Sequence, residues 1–569
     1  MLGWVRRPLP VVLPPLNVGR TVAVHPEAAA EAATGGAISR GEDMALWLAV
    51  SIPAAVAGLW IAVGLHMFYI DNVARTYEAY QVLYGFDPKL ANLGFIWAPL
   101  PAALQIPLVA LLPGLAQEGG TGPLVSAMAA GGCLVLLNRI LAQHVPGRRY
   151  RYLLLALYQT NPLVVYLAVT GMSELLVLLF VLLAWYAFQQ LAFDEPLVFS
   201  RVVIMGLAMA GAVMSRYEGV GFAMALAAVL AVLLYYELAP RQRALAEGLT
   251  ILYLTPWTYA FAVWMFLNAM IMGNPFNFVV GKGSASDHAH TLLASNPALA
   301  TLVGEAMEST THALHADWDV APAFLPVFVL ALVLTVARRD LFLLSLAVVS
   351  ASFTAMQGLL YFTGASLGWL RYHVYLAAFA PVLLSYCLRR EIIPPLGRIP
   401  WPVGMLCSIV FVAWSAQMTW RGLDDRSFVL DNEPAFLTAA FQGGEAAAAF
   451  NKGGREIALY FRNELFPVEP QALILADDQQ ANEVVLFSHH ANRFVVSNAS
   501  VFMDYVRHPV GNVTHILVPE RAKIGTDLII KQYPDIFEEG TPFTTLEHEF
   551  DTPGLRWRLY RVVTADGSP

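Results

Sequence analysis

The chain has 569 residues, of which 57% are hydrophobic and only 13% charged, and its mean hydropathy is +0.56. A soluble domain carries about 25% charged residues, so this composition excludes an ordinary soluble protein and indicates a membrane protein. The net charge of -8 and the lack of a long basic run give no sign of a nucleic-acid partner. The cysteines Cys133, Cys387 and Cys407 lie in apolar stretches, which excludes a disulfide framework.

Residues 1–43 are rich in Pro, Ala and Gly and are typical of a disordered cytoplasmic tail. The alternative is a start codon assigned too early, with Met44 as the true start. The apolar run that begins at Met44 is long enough to span a membrane, so we expect no cleavable signal peptide.

Eleven apolar runs approach the roughly 20 residues that a spanning helix needs. They are 44–66, 122–142, 152–171, 175–192, 202–217, 219–236, 248–270, 321–337, 341–361, 372–388 and 401–419. A further run, 94–116, is interrupted by four prolines, each of which removes a backbone donor. If that run lies on the membrane surface, all the later arginine clusters face the cytoplasm, as the positive-inside rule requires.

The sequence therefore predicts a polytopic α-helical protein of the plasma membrane with about eleven transmembrane helices. Its N-terminus is cytoplasmic, its transmembrane domain covers 44–420, and its long external loops are 67–121 and 271–320. Residues 421–569 show short apolar segments with helix-compatible stretches between the early ones, which predicts a small external α/β domain. The segments read as strands are 472–477, 493–497, 515–519 and 557–563. Asp477 and Asp478 follow the first of them and are either surface charges or ligand-binding residues.

Charged residues beside membrane helices are costly and tend to be functional. After the first span, Asp71, Arg75 and Glu78 fall on one face of a helix. They form either a simple interfacial ion pair or a carboxylate at the mouth of a cavity. The segment 94–101, which contains Trp97, is either an interfacial anchor or a platform over a lipid-facing groove.

Two more charged groups lie at external ends of middle spans. Glu174 ends the segment TGMSE and is either a partner of the helix dipole or a site residue. Arg216, Tyr217 and Glu218 occupy the tight turn SRYEG, where the alternative is a pair of snorkelled surface charges.

The last group, GWLRYH, holds Arg371, Tyr372 and His373 at the start of the tenth span. Arg371 is an external arginine, against the general bias, and its alternative is a lipid headgroup contact. The loop 271–320 carries Lys282 and several histidines, whose spacing is only a weak indication of a metal site.

These five groups, in this order, resemble the GT-C superfamily of membrane glycosyltransferases, above all the aminoarabinose–lipid A transferases and the protein O-mannosyltransferases. Family members carry an acidic residue after the first helix, here Asp71, and a proline-rich interfacial segment, here WAPLP. A second acidic residue, an Arg–Glu element and a late Arg-Tyr follow, here in TGMSE, SRYEG and WLRYH. The family's lysine before the prolines is absent, since Ala98 precedes Pro99, so that phosphate contact is not carried over.

The resemblance implies transfer of a sugar from a polyprenyl-phosphate donor to an external glycan, lipid or protein acceptor. Asp71 would be the general base, Glu174 a second catalytic carboxylate, and the reaction inverting. The residues expected to bind the donor phosphate are Arg371, Arg216, Arg75 and Lys282. The residues expected to bind the rest of the substrates are Glu78, Trp97, Glu218, Tyr217, Tyr372 and His373.

We expect no cofactor. The alternative is a divalent metal held partly by Asp71 and Glu174, as in some related oligosaccharyltransferases, although the first external loop lacks their Asp-x-Asp pattern. Other functions that remain open are a transporter or lipid-linked glycan flippase, which places charges near the bilayer midplane, an O-antigen ligase or polymerase, and a non-catalytic scaffold. The sugar-transfer hypothesis predicts that Asp71, Glu174, Arg216 and Arg371 converge around one outward-opening pocket.

Overall fold

The computed structural model describes residues 38–563 except 146, 194–198, 282–283, 285–286, 288, 290–292, 294–296, 367, 389–400, 425–432, 451, 522–526 and 553–554. Residues 1–37 of the predicted tail 1–43 therefore lie outside the described residues. Lys282 lies outside them as well. The described chain is mainly helical, with a small sheet near its C-terminus.

The first part of the chain contains nine helices among its described residues. They are α1 (Arg40–Leu59), α2 (Ile70–Tyr84), α3 (Leu100–Ala103), α4 (Ile106–Leu111), α5 (Pro113–Gln117), α6 (Thr121–Ala142), α7 (Arg148–Gln159), α8 (Pro162–Val169) and α9 (Glu174–Phe193). The proline-rich run 94–116 contains only α3–α5, the longest of six residues. None of these is long enough to span a membrane, and the surface position of this run stays a prediction.

The next part also contains nine helices where it is described. They are α10 (Phe199–Ser215), α11 (Gly219–Met272), α12 (Asn277–Val280), α13 (Pro297–Ala300), α14 (Ala306–Val320), α15 (Phe324–Arg338), α16 (Leu341–Phe362), α17 (Tyr375–Cys387) and α18 (Trp401–Asp424). A 3-10 turn, Leu370–His373, precedes α17. Gln242 has non-helical backbone angles and breaks α11 into the two predicted spans.

Seven of the described helices are long and apolar enough to cross a membrane, or up to nine if α7–α8 and α14–α15 each count as one bent span. The bend of 69° between α7 and α8 has a local cause. The Asn161 side chain accepts a hydrogen bond from the Leu163 N–H at 3.0 Å and so starts a new helix, with Pro162 in its first turn. The two further predicted spans correspond to α10 and α17, which are shorter, and the count of eleven stays a prediction.

The C-terminal part has eight helices and five strands in its described residues. The helices are α19 (Glu433–Gln442), α20 (Gly444–Phe450), α21 (Lys452–Tyr460), α22 (Phe466–Val468), α23 (Asp478–Phe487), α24 (Phe502–Arg507), α25 (Leu528–Gln532) and α26 (Ile536–Glu539). The strands are β1 (Ile474–Leu475), β2 (Phe494–Val495), β3 (His515–Pro519), β4 (Thr544–Thr552) and β5 (Leu555–Val562).

These strands form one mixed sheet in the order β2-β1-β3-β5-β4. β1 pairs in parallel with β2 and β3, whereas β5 is antiparallel to β3 and β4. The predicted strands are confirmed, but β4 was not predicted. It is an edge strand whose residues are mostly exposed or half-buried, so it lacks the apolar pattern by which a strand is recognised.

Two packing relations join the parts of the molecule. The helices α19 and α20 contribute Phe436 and Ala447 to the large apolar core of the membrane helices. Conversely, α2 contributes Val73 and Tyr77 to the core beneath the sheet, which also contains Val484 of α23. The predicted first external loop and the C-terminal domain therefore share one core, and α2 is held from both sides.

Candidate active site

Four charged residues from distant parts of the sequence meet at one end of the helix bundle. The Arg371 guanidinium is fully buried and donates a hydrogen bond from Nη2 to Asp71 Oδ2 at 3.0 Å. Its Nε lies 3.4 Å from Glu174 Oε1. Arg216 Nη1 donates to the same Glu174 oxygen at 2.9 Å. These four residues are thus in contact, with Glu174 bridging the two arginines, whereas the outward-opening pocket between them stays a prediction.

Local structure explains why the carboxylates sit there. Asp71 lies in the first turn of α2, and Glu174 is the first residue of α9. The positive end of each helix dipole stabilises a carboxylate at this position. Since both side chains are buried, the arginines are needed as partners, because an unpaired buried charge is strongly destabilising.

The turn between α10 and α11 supplies the outer edge of the cluster. Arg216 Nη2 donates to Glu218 Oε1 at 2.9 Å, and Arg216 Nη1 also contacts the Ser173 hydroxyl at 3.3 Å. The side chains of Arg216 and Glu218 remain 10% and 14% exposed, whereas those of Arg371 and Glu174 are fully buried. Access to the cluster is therefore greatest at this turn.

Aromatic rings cover the guanidinium groups. The Arg371 guanidinium lies 3.9 Å from the ring centre of Trp369 and 5.0 Å from that of Tyr69. The Tyr372 ring lies 5.0 Å from the Arg216 guanidinium. Such cation–π contacts stabilise a desolvated cation without neutralising its charge, so the cluster keeps its arginines positive inside an apolar wall.

Arg75 differs from the other two arginines. Its residue is 6% exposed, its guanidinium lies 4.7 Å over the Trp97 ring, and its Nε and Nη1 have no hydrogen-bond partner among the described residues. Burial lowers the pKa of Arg75, and the nearby Asp71 carboxylate opposes that shift only in part. A buried cation with free N–H groups is an incomplete arrangement that an anion would complete.

The sequence alone matches no family model and no curated protein, but the fold does match solved structures. ArnT from Cupriavidus metallidurans bound to undecaprenyl phosphate is 12% identical with a TM-score of 0.54, over 93% of this chain and 100% of that one. The apo state of the same ArnT is 11% identical with a TM-score of 0.53, over 92% of this chain and 98% of that one. The archaeal oligosaccharyltransferase AglB from Archaeoglobus fulgidus is 11% identical with a TM-score of 0.44, over 92% of this chain and 75% of that one. This chain has a GT-C fold.

Within this GT-C fold, the interfacial platform predicted at 94–101 packs against the turn at 215–219. The Tyr217 hydroxyl donates to the Ile96 carbonyl at 3.0 Å and accepts from Trp264 Nε1 at 3.1 Å. This contact places Trp97 near Arg75. Tyr217 is therefore engaged by the protein on both sides of its hydroxyl, which favours a positioning role over direct substrate contact.

Glu78 lies one turn beyond Arg75 on α2, and the backbone at Gly94 passes close to its side chain. Gly94 has φ of +77°, and a Cβ there would meet Glu78 Oε1 at 2.8 Å. Burial raises the pKa of Glu78 to about 8, although the Arg75 charge opposes this shift. The raised pKa favours the protonated form of Glu78 near neutral pH, beside the Arg75 guanidinium.

His373 turns away from the ion-pair cluster. Its Nδ1 lies 2.6 Å from Asp317 Oδ1, and its Nε2 lies 3.4 Å from the Tyr361 hydroxyl. Thr354 donates to the other Asp317 oxygen at 2.6 Å. Both ring nitrogens of His373 therefore face protein groups, and its predicted contact with substrate stays a prediction.

Two carboxylates near the site were not assigned roles in it from the sequence. Asp317 lies in the predicted loop 271–320, and no sequence pattern linked it to His373, 56 positions away. Asp478 accepts a hydrogen bond from the Tyr77 hydroxyl at 3.3 Å and contacts the Ser497 hydroxyl. Its position after a strand was the available signal. It brings the C-terminal domain to the back of α2.

The alternative of a divalent metal held by Asp71 and Glu174 would have to share these carboxylates with a cation of the protein. The Arg371 guanidinium lies between these two carboxylates and contacts both. A divalent cation there would be repelled by the charge that already neutralises them. Among the described residues, no group of three His, Cys, Asp or Glu side chains is arranged to hold a metal ion.

Proposed function

We propose that this protein transfers a sugar from a polyprenyl-phosphate donor to an acceptor hydroxyl or amine. The observation that carries the proposal is Arg75, whose buried guanidinium keeps two N–H groups without a partner beside the ion pairs of Arg216 and Arg371. Arg216 and Arg371 are each neutralised by carboxylates, so Arg75 is the cation with capacity left for the donor phosphate.

Chemical reasoning supports this assignment. In the transfer, the bond between the anomeric carbon and the phosphate oxygen breaks, and the electron pair stays on the phosphate. Positioned cations stabilise that developing negative charge. Arg75 would contact the phosphate directly, while Arg216, with its side chain 10% exposed, would approach it from the other side. Lys282, which lies outside the described residues, remains a further predicted phosphate ligand.

The GT-C fold and the membrane setting support a lipid-linked donor. The ArnT structure with the similar fold contains undecaprenyl phosphate. In this chain, the charged cluster lies at the ends of apolar helices, where a lipid phosphate can reach it from the bilayer. We place this end of the bundle and the C-terminal domain on the external side, because the arginine clusters between the predicted spans favour the cytoplasm at the other end.

Asp71 is the proposed general base. Arg371 holds its Oδ2, and Oδ1 has no hydrogen bond within the described part of the chain, so one oxygen is left to accept the acceptor's proton. Burial alone would raise the pKa of Asp71, but Arg371, Arg75 and Arg216 together lower it, which keeps the base ionised. Attack on the face opposite the phosphate predicts inversion at the anomeric carbon. Glu174 would act through the arginines it joins.

The test uses the full chain reconstituted in liposomes with a panel of polyprenyl-phosphate hexoses and pentoses. We expect one donor to be consumed with release of polyprenyl phosphate, and the product's anomeric configuration to be inverted by NMR. Asp71→Asn should lower turnover by about 10²-fold or more, and the exposed control Asp504→Asn should not. Near-normal turnover of a well-folded Asp71→Asn protein would remove Asp71 from this role.

A transporter or flippase is distinguished in the same liposomes. If labelled lipid-linked sugar crosses the bilayer while its phosphate–sugar bond stays intact, the proposed transfer is refuted and the transport alternative gains support. An intact donor on the original side with every acceptor tried would likewise count against the enzyme.

A further inference from the structure

A second group of titratable side chains lies where the membrane helices meet the C-terminal domain. Glu118 Oε1 lies 3.0 Å from His489 Nε2, and Glu118 Oε2 accepts from Arg455 Nη1 at 3.3 Å. Arg462 Nη1 is 3.7 Å from Glu118 Oε1, and His66 Nδ1 is 3.8 Å from Glu118 Oε2. We call these five residues the junction cluster.

The junction cluster has too little negative charge. Within the described part of the chain, Glu118 is the one carboxylate within ion-pair distance of its two guanidiniums and two imidazoles. Glu456 and Glu464 lie on the same helical stretch as Arg455 and Arg462, but they are exposed and form no ion pair with the cluster. A single carboxylate cannot neutralise two permanent cations.

The guanidinium charges contribute to pKa shifts of three groups in and beside the junction cluster. Burial, and next the Arg455 charge, lower the pKa of His66. Burial lowers the pKa of Arg455, a shift that Glu118 opposes and Arg462 reinforces. Burial and the charge of Arg493 lower the pKa of the adjacent His490. Burial is the largest cause of the shift in all three groups, and a neighbouring guanidinium adds to it in each.

The position of the junction cluster points to lipid. His66 follows α1 and the π-helical turn Trp60–Gly64 that extends it, which together form the first candidate span, and Glu118 comes three residues before α6 begins at Thr121. Both therefore lie at the membrane surface, at the depth of phosphate headgroups. The Arg462 side chain is 40% exposed and that of His66 41%, so the cluster is open to a headgroup from this side.

The cluster is also rigidly built. His66 and His489 adopt left-handed backbone conformations, with φ of 54° and 64°, which residues other than glycine rarely do. Gln117 Nε2 donates to the His489 carbonyl at 3.2 Å, and the rings of Phe68 and Phe487 stack at 4.4 Å. Preorganised positive charge of this kind binds an anion without reordering costs.

We propose that the junction cluster binds the phosphate of an anionic lipid headgroup, separately from the donor site and independently of the proposed sugar transfer. Arg462 and Arg455 contact the phosphate oxygens, and Glu118 limits the affinity while it holds the cations in place. The bound lipid lies against the seam between the first membrane helices and the C-terminal domain.

The test titrates the purified full chain in neutral detergent with dioleoylphosphatidylglycerol and with dioleoylphosphatidylcholine, and counts bound lipids by native mass spectrometry. We expect the anionic lipid to bind the wild type in preference to the zwitterionic one. Arg455→Gln with Arg462→Gln should weaken that binding about 30-fold. The exposed arginine control, Arg507→Gln, should change it less than 2-fold.

A variant with the opposite sign separates binding from folding. Glu118→Gln removes the carboxylate of the junction cluster and should tighten anionic-lipid binding several-fold, whereas a purely structural cluster would lose binding in both variants. Equal binding of the two lipids, unchanged affinity in the double variant, or binding of inorganic phosphate without binding of the lipid would each overturn the proposal.

Discussion

Replacing Arg75 or Arg371 by methionine tests whether the two arginines have different roles. Arg75 is the proposed phosphate ligand, whereas Arg371 pairs with buried carboxylates of the site. Methionine keeps an unbranched apolar stem and removes the guanidinium with its charge. Arg371→Met leaves Asp71 as a buried carboxylate without its hydrogen-bonded partner, while Glu174 keeps only Arg216. Breaking such a pair costs about 3–5 kcal/mol, so we expect a large fall in melting temperature.

Arg75→Met should behave in the opposite way. Nε and Nη1 of Arg75 have no hydrogen bonds to lose among the described residues, and burial already disfavours the charge. We therefore expect stability to change by less than about 1 kcal/mol, the size of a cation–π contact with Trp97. Two N–H groups meeting a phosphate are worth about 1.5 kcal/mol each, so binding of a polyprenyl phosphate should weaken by about 10²-fold.

The assay follows melting temperature against undecaprenyl phosphate concentration in detergent for the wild type, both variants and the exposed control Arg243→Met. The wild type and the control should be stabilised by the lipid with the same apparent affinity. The reasoning is refuted if Arg75→Met binds the lipid as well as the wild type does, or if it lowers the melting temperature as much as Arg371→Met.

Three further outcomes follow from the same contacts. Glu78 keeps its proton in the folded protein up to about pH 8, against 4.5 for the free side chain, so melting temperature should fall as pH rises from 5 to 8 and Glu78→Gln should flatten that fall. Gly94→Ala should lower stability by at least about 1 kcal/mol, because it combines positive φ with a clash against Glu78. An unchanged thermal unfolding curve would show that Gly94 does not pass so close to Glu78. Asp317→Asn should weaken the hold on His373 and lower kcat more than it raises KM, since the turn bearing Arg371 loosens; steady-state kinetics with an unchanged kcat would contradict this.

The sequence was informative about the site because its charges are few and the apolar background is strong. Asp71, Glu174, Arg216 and Arg371 each stand at the end of an apolar run, and burying such residues is costly unless they meet. The pattern of pairing was not predictable, because the sharing of Glu174 between two arginines depends on side-chain geometry. The same holds for His373, whose partner Asp317 lies in a different helix.

The fold could be predicted where apolar runs were long and uniform. The run 175–192 corresponds closely to α9. The run 152–171 was read as one helix, although Asn161 and Pro162 divide it. At 321–337 the run gave no sign that α14 joins it at a bend of 111°. Composition reports which segments are buried in lipid, but the angles between helices depend on capping and on packing partners.

The helix α2 has a consequence for how this protein can be dissected. Its polar side presents Asp71 and Arg75, while its apolar back is sealed by Val484 and its neighbours beneath the sheet. A truncated protein that ends after the membrane helices would leave the apolar side of α2 exposed to water. The helix would then shift, and Asp71 and Arg75 would move with it. The C-terminal domain thus supports the helix that carries Asp71, and a ligand that shifts this domain should also move Asp71.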